Sequence, residues 1–443
     1  MANGAADAAP GVSVGIVADD LTGANDSAVQ FATRGWATSL VLVDGPLDAR
    51  TPGSVLALVS DARAQGARAA TASTTECVAR LRDAGAARLF LKIDSTMRGS
   101  VAEQVGGALD AWRRAHPDAF ALVCPAYPAM GRTVEAGRLL VNGAGVETTA
   151  FGRDPVTPVP TSDMALLLPG STGIVIGTDG VDSLVHRIAD AVAGGSRVIV
   201  VNASTAADLA SIADAADRFG PRCVPVGSAG LAVAMSTVWG GSGDSVASAF
   251  RPAAARRVAV VVSSLHDMSR EQFARLRSSL PADGIRLLEP PLEAALDPRT
   301  IAGWAAQQLA APARLPEVVV IRSPDVRPAP AIDDSDRERA AVAIASSLAV
   351  ITEAVFDHAQ VDALVLMGGE GARAVLDRFG AQSIRVTSAI REGIPIGLVE
   401  GGRADRLTVV TKAGGFGTPD SLAEIVPELL ETPDFPNAKP GEN

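Results

Sequence analysis

The chain reads as an α/β protein of two mainly parallel-sheet domains, and three observations predict it. Short β-branched or leucine-rich runs recur, each running into a polar or glycine-rich loop and then a helix-like segment. The 443 residues exceed one ordinary core. A small, polar stretch, residues 241–257, divides two such series as a linker, giving domains at 1–240 and 258–443.

The first unit opens with the apolar run Val12–Val17, the loop Asp19, Asp20, Thr22, Gly23, and a periodic segment to Phe31: strand, loop, helix. Ser39–Val43 and Val55–Val59 are further strands, the second running into Ser60, Asp61 and Arg63. Leu89–Ile93 ends in Lys92, Ile93, Asp94, Ser95, Thr96, Arg98 and Gly99, with Ser100 and Glu103 at capping-box spacing. Phe120–Cys124 leads to Tyr127 and Arg132. Residues 133–170 contain the proline-rich GRDPVTPVP and predict a long irregular loop. Gly173–Ile176, a helix around Val181–Ala193, and Arg197–Asn202 resume the alternation.

Beyond the linker, Val258–Val262 runs into Ser263 and Ser264, followed by a helix with Ser269 and Gln272 at capping-box spacing. Val318–Arg322 is followed by a charged, proline-rich loop and a helix containing Ala340–Val350. Ala363–Met367 runs into Gly368, Gly369, Glu370 and Gly371, and Leu407–Thr411 into KAGGFGTPDS. A mobile tail is expected from Thr432 onward.

Composition narrows the function. A formal charge of −11 opposes loose attraction to nucleic acid or an anionic membrane. Cys77, Cys124 and Cys223 form no CxxC pair, so a disulfide framework or zinc site is not expected, and no protein-held metal set is indicated. Cys124 reads as a buried, inert thiol, and His266 as a residue that caps or turns its loop. No basic-then-apolar leader opens the sequence and no apolar run approaches membrane-spanning length, so a cytoplasmic protein is expected. Self-association stays open.

The loops carry the chemistry. In the first half Arg63, Lys92, Arg98 and Arg132 stand at strand ends beside Asp19, Asp20, Asp61 and Asp94. Cations there can clamp a carboxylate while the acids accept protons from hydroxyls, which suits a polyhydroxy acid; the bland alternative is surface ion pairs. In the second half, glycine loops after several strands let N–H groups approach phosphate oxygens and suggest a nucleotide. GxxxxGK[ST] is absent, and tight packing alone also uses glycine. Gly369-x-Gly371-x-x-Ala374 fits a dinucleotide fingerprint, but the acid expected about 20 residues on falls at Arg385–Thr387.

Eight motifs in order, ADDLTGANDSAVQF, LKIDSTMRGS, CPAYPAMGRTVEAGRLLVNG, FGRDPVTPV, GSAGLA, SSLHDMSREQ, MGGEGARAV and KAGGFGTPDSL, resemble the four-carbon acid sugar kinase family across residues 18–421. The resemblance implies a sugar-acid-binding N-terminal domain, a nucleotide-binding C-terminal domain, an active site in the cleft between them, and ATP-dependent phosphorylation of a hydroxyl in carbohydrate catabolism. Matched by motif, Asp19 or Asp20, Arg63 and Lys92 through Ser95 look like substrate contacts. Ser263 or Ser264, Gly368–Gly371 and Gly415 look like ATP contacts, with Mg²⁺ accompanying the nucleotide. Gly371 stands where the family often has threonine, and Ser60 likewise. The roles expected are Asp20 or Asp94 as base, Lys92 and Arg98 as charge stabilisers, and Arg63 with Arg132 on the substrate. The rivals are an NAD(P)-dependent dehydrogenase and a non-catalytic two-domain binding protein.

Overall fold

The computed structural model describes residues 13–42, 47, 53–154, 156–177, 179–240, 254–310, 314–325, 334–391 and 393–431. Most of the expected linker, part of the charged loop after Val318–Arg322, and the tail from Thr432 lie outside them. The chain divides into two compact units, Met1–Ala249 with Arg385–Ser388, and Phe250–Ile384 with Ala389–Asn443.

The strands in chain order are β1 Val14–Ala18, β2 Ala37–Val41, β3 Ser54–Val59, β4 Arg88–Lys92, β5 Phe120–Cys124, β6 Arg132–Glu135, β7 Arg138–Val141, β8 Ala144–Gly145, β9 Thr172–Ile174, β10 Val198–Val201 and β11 Cys223–Gly227. They are followed by β12 Val258–Val262, β13 Ile285–Leu288, β14 Val318–Arg322, β15 Ala363–Met367, β16 Ser383–Arg391, β17 Ile394–Glu400 and β18 Thr408–Lys412.

In the first unit the sheet order is β2-β3-β1-β4-β11-β5-β10-β9, parallel throughout. β1, β5 and β11 are buried along their whole length, as continuous apolar runs covered on both faces must be. β3 lies on one side of β1 and β4 on the other, so the chain reverses its direction of travel across the sheet at β1. Ala18 pairs with both Val59 and Lys92, so the loops after all three strands leave the sheet at one level. That is the crevice where open α/β sheets bind ligands.

The second unit repeats the plan with one change. Its order is β13-β14-β12-β15-β18-β17, with β12 between β14 and β15. β17 runs antiparallel to β18, so this sheet is mixed rather than wholly parallel. β13, β16 and β17 escaped the sequence reading because Ile285–Leu288 is short, Ser383–Arg391 carries scattered polar residues, and Ile394–Glu400 is interrupted by Pro395 and Gly397.

Other expectations are corrected. Residues 133–170 hold the antiparallel strands β6, β7 and β8, turned by Gly137 and Gly143 at φ +73° and +80°. The prolines begin only after these strands. Ser100 is the N-cap of the helix Val101–Trp112 but accepts no capping bond; its hydroxyl donates to the Gln65 carbonyl at 2.8 Å. The helix Asp267–Ser279 begins before Ser269, with His266 as its cap. The helix Asp334–His358 contains a segment, Arg339–His358, long and apolar enough to cross a membrane by length and composition. Leu348, Ile351 and Val355 of this segment are buried, and the helix packs against the helices Pro298–Leu309 and Gly369–Arg378.

Helices Ala67–Asp83 and Val101–Trp112 cover the sheet beside β1 and meet at Gly107, where a Cβ would lie 2.5 Å from the Thr71 carbonyl. Gly107→Val should therefore destabilise the fold by about 1–3 kcal/mol. Gly106→Ala, where a Cβ meets nothing within 4 Å, should stabilise it by up to about 1 kcal/mol. Urea unfolding of the two variants measures both.

Candidate active site

At the first unit's crevice the three strand-end loops are bound together by one guanidinium. Arg63 donates from Nε and Nη2 to the two oxygens of Asp19, at 2.8 and 2.9 Å, and from Nη1 to Asp20 Oδ2 at 2.6 Å. Its Nη2 also lies 3.8 Å from Asp94 Oδ1. Arg98 grips Asp94 from the other side, Nη2 to Oδ1 at 2.9 Å and Nε to Oδ2 at 3.1 Å.

The backbone is shaped for this. Asp20 caps the helix Leu21–Ala32, accepting the Gly23 N–H at 2.7 Å. Asp94 closes its own loop by accepting the Thr96 N–H at 3.1 Å and the Thr96 hydroxyl. Gly99, at φ +84°, lies so close to the Arg63 backbone that a Cβ would fall 2.6 Å from its carbonyl.

Electrostatics separates the three acids. Burial pushes the Asp19 carboxyl up, opposed by Arg63 and Lys92; its side chain has no exposure. Burial would also raise Asp94, but the charges of Arg63 and Arg98 and the bonds from Arg98 and Thr96 hold it well below the usual carboxylate range. Asp20 is the most open, its side chain 27% exposed.

Lys92 differs from its neighbours. It is buried, and its ammonium makes no hydrogen bond or ion pair among the described residues. A Cβ on Gly23 would lie 2.9 Å from Nζ, so the glycine leaves room for it. Ser95 is half-buried and its hydroxyl makes no hydrogen bond among the described residues, whereas the Ile93 side chain is fully buried. Arg132 and Arg98 both stand over the Phe151 ring, at 5.7 and 5.3 Å, and Arg98 also reaches Asp154 at 3.3 Å. Arg132 Nε is buried without a hydrogen-bond partner among the described residues. Phe151 and Asp154 lay in a stretch read as irregular, and only the fold brings them here.

In the second unit Ser263, Ser264, the Gly368–Gly371 turn and Gly415 come together at the ends of β12, β15 and β18. Ser263 Oγ donates to the Met367 carbonyl at 2.9 Å. Gly368 sits at φ +99°, and a Cβ there would lie 2.5 Å from Ser263 Oγ; one on Gly371 would lie 2.3 Å from Ser263 Cβ. Side chains at either position would prise the loops apart. Gly369 opens the helix Gly369–Arg378, Gly371 is buried, and Glu370 is exposed in its first turn. Ser269 and Gln272, read as a capping box, instead hold the third loop. Ser269 Oγ donates to the Gly414 carbonyl at 2.7 Å, and Gln272 Nε2 to those of Phe416 and Thr418 at 2.9 and 2.7 Å.

Backbone N–H groups at helix starts beside compact glycine turns fit polyphosphate. No group of three or more His, Cys, Asp or Glu able to hold a metal occurs among the described residues. Cys124 is a free, buried thiol whose burial pushes it up to about 12, and His266 caps its helix by accepting the Met268 N–H at 3.1 Å.

Arg63→Met would leave Asp19 buried without its partner and should cost about 3–5 kcal/mol in urea unfolding, with Arg63→Lys intermediate because an ammonium cannot fork across two carboxylates. Asp94 is held below its unfolded value of 3.8, so its stabilisation is complete above that pH and drains away as pH falls below it. Thermal melts between about pH 7 and 3 should show a shallower acid slope for Asp94→Asn than for the parent.

Comparison with known proteins agrees with this division. Residues 14–235 match a sugar-binding N-terminal domain family and residues 259–422 a nucleotide-binding C-terminal domain family. A D-threonate kinase of Bordetella bronchiseptica is 38% identical, with 95% of this chain and 98% of that protein covered. A D-erythronate kinase of Heliobacterium modesticaldum is 27% identical over 94% of this chain and 97% of that protein. A solved structure from Salmonella typhimurium LT2 shares the fold with a TM-score of 0.74 at 22% identity, covering 93% of this chain and 98% of that one. The chain belongs to the four-carbon acid sugar kinase family.

Proposed function

We propose that the protein transfers a phosphoryl group from ATP to a hydroxyl of a four-carbon sugar acid of the threonate or erythronate type. The observation that carries this reading is Lys92, a buried ammonium near Asp19 that makes no hydrogen bond or ion pair among the described residues, at the crevice of the sugar-binding unit. An ammonium with all three donors open can take a substrate carboxylate, and the adjacent aspartates suit hydroxyls.

The geometry favours particular roles. Every nitrogen of the Arg63 guanidinium donates to Asp19 or Asp20, so Arg63 organises the acids, and the substrate carboxylate falls to Lys92 and Arg132. Asp94 is a weak base because Arg98 and Thr96 occupy its oxygens. Asp20, more open and fixed by Gly23 and Arg63, is the residue we assign to the acceptor hydroxyl's proton. Asp19, without side-chain exposure, positions Arg63. ATP would supply the phosphoryl group, with magnesium on its phosphates offsetting their charge, and transfer needs the acceptor hydroxyl in line with the γ-phosphate.

The deciding assay offers threonate, erythronate and 3-oxo-tetronate stereoisomers with Mg·ATP and follows ADP. Turnover on at least one is expected, and none by folded protein overturns the reading. Asp20→Asn should lower kcat by about 10²–10⁴ with ATP binding preserved, and Lys92→Met should act chiefly on the sugar-acid KM. Calorimetry with NAD(P) against Mg·ATP separates the dehydrogenase alternative.

A further inference from the structure

Lys412 is the last residue of β18, paired in register with Met367 at the end of β15. Strand alternation puts it on the face of Val410, which packs into the core with Leu422, Ile425 and Phe273. The residue is 3% exposed. Its ammonium makes one hydrogen bond, 2.8 Å to the carbonyl of Ala413, and no ion pair among the described residues. Burial alone brings it down to about 7. The fold gains only that one hydrogen bond from the charge, whereas a methionine would bury the same stem without the desolvation cost.

The groups around it make the same demand. Lys412 leads into the Gly414–Gly417 loop, whose carbonyls at Gly414 and Phe416 are engaged by Ser269 and Gln272. The N–H groups of Gly414 and Gly415, by contrast, donate to nothing among the described residues. The Lys412 carbonyl accepts the Gly368 N–H at 3.0 Å, tying it to the turn that opens the ten-residue helix Gly369–Arg378. An uncompensated ammonium, free glycine N–H groups and a helix start therefore meet at adjacent strand ends. All three favour negative charge and none supplies it.

We infer that Lys412 is a phosphate-binding cation of the nucleotide unit, its ammonium pairing with a polyphosphate oxygen held over the Gly368–Gly371 and Gly414–Gly417 loops. The inference rests on the nucleotide-binding reading of this unit and adds to it the residue that supplies the charge. Anion binding completes the ion pair the fold leaves open, so affinity should grow with the number of phosphates.

The test compares the full-length protein with Lys412→Met and Lys412→Gln by calorimetry against Mg·ATP, Mg·ADP, AMP and adenosine, with melting temperatures alongside. Both variants should melt at or above the parent temperature. Mg·ATP should bind them at least tenfold more weakly, Mg·ADP should lose less, and adenosine should be unchanged. Parent-like ATP affinity in either folded variant overturns the inference while leaving the nucleotide reading intact. Equal losses for ATP and adenosine overturn it too, because they indicate a distorted pocket, and failure of both variants to fold shows that the charge serves the fold. A parent protein that binds none of the four ligands removes the nucleotide reading and this inference with it.

Discussion

Three carboxylates at adjacent strand ends would repel one another, and one of them, Asp19, has no access to water. The Arg63 guanidinium resolves the conflict. Its fork satisfies both Asp19 oxygens and one of Asp20, and its charge, with that of Arg98, keeps Asp94 ionised. The interaction closes a loop between β1 and β3, and Gly99 packs the β4 loop against the backbone of the same arginine. The local shape of the sugar-binding crevice depends on this ion cluster more than on any apolar contact near it, for breaking it strands a buried charge.

The two units solve the same topological problem in the same way. In each, the first strand lies inside the sheet with later strands on both sides, and the loops diverging from it leave a crevice. What fills the crevice differs. The first unit places paired acids and arginines there, a polar surface suited to hydroxyls and a carboxylate. The second places glycines so close to Ser263 and Ser264 that backbone rather than side chain faces the crevice, a surface suited to phosphate.

Each crevice also contains a buried lysine that makes no ion pair among the described residues, Lys92 or Lys412, directly at the end of a strand. Strands give these residues a fixed origin, while the surrounding core denies them water. Their charges are therefore worth more to an incoming anion than a surface lysine's would be, because little solvation remains to be lost on binding.

Much of this was legible in the chain. Apolar runs ending in Asp19-Asp20, Lys92–Arg98, Ser263-Ser264 and Gly368–Gly371 located four strand ends within a residue or two, because continuous β-branched runs and glycine turns are local signals. Capping was misread at Ser100, Ser269 and Gln272, whose partners lie far away in sequence; spacing shows only that a cap can form, and the nearest carbonyl in space decides. The sequence alone determined the α/β class, the two-part organisation and the residue types at the strand ends, since all are written in short-range pattern. Only the tertiary structure decided that Arg63 is spent on Asp19 and Asp20, that Phe151 lies beneath Arg98 and Arg132, and that Lys92 and Lys412 are buried without an ion pair among the described residues, because pairing and burial are set by sheet order and register, which bring together residues that no local pattern connects.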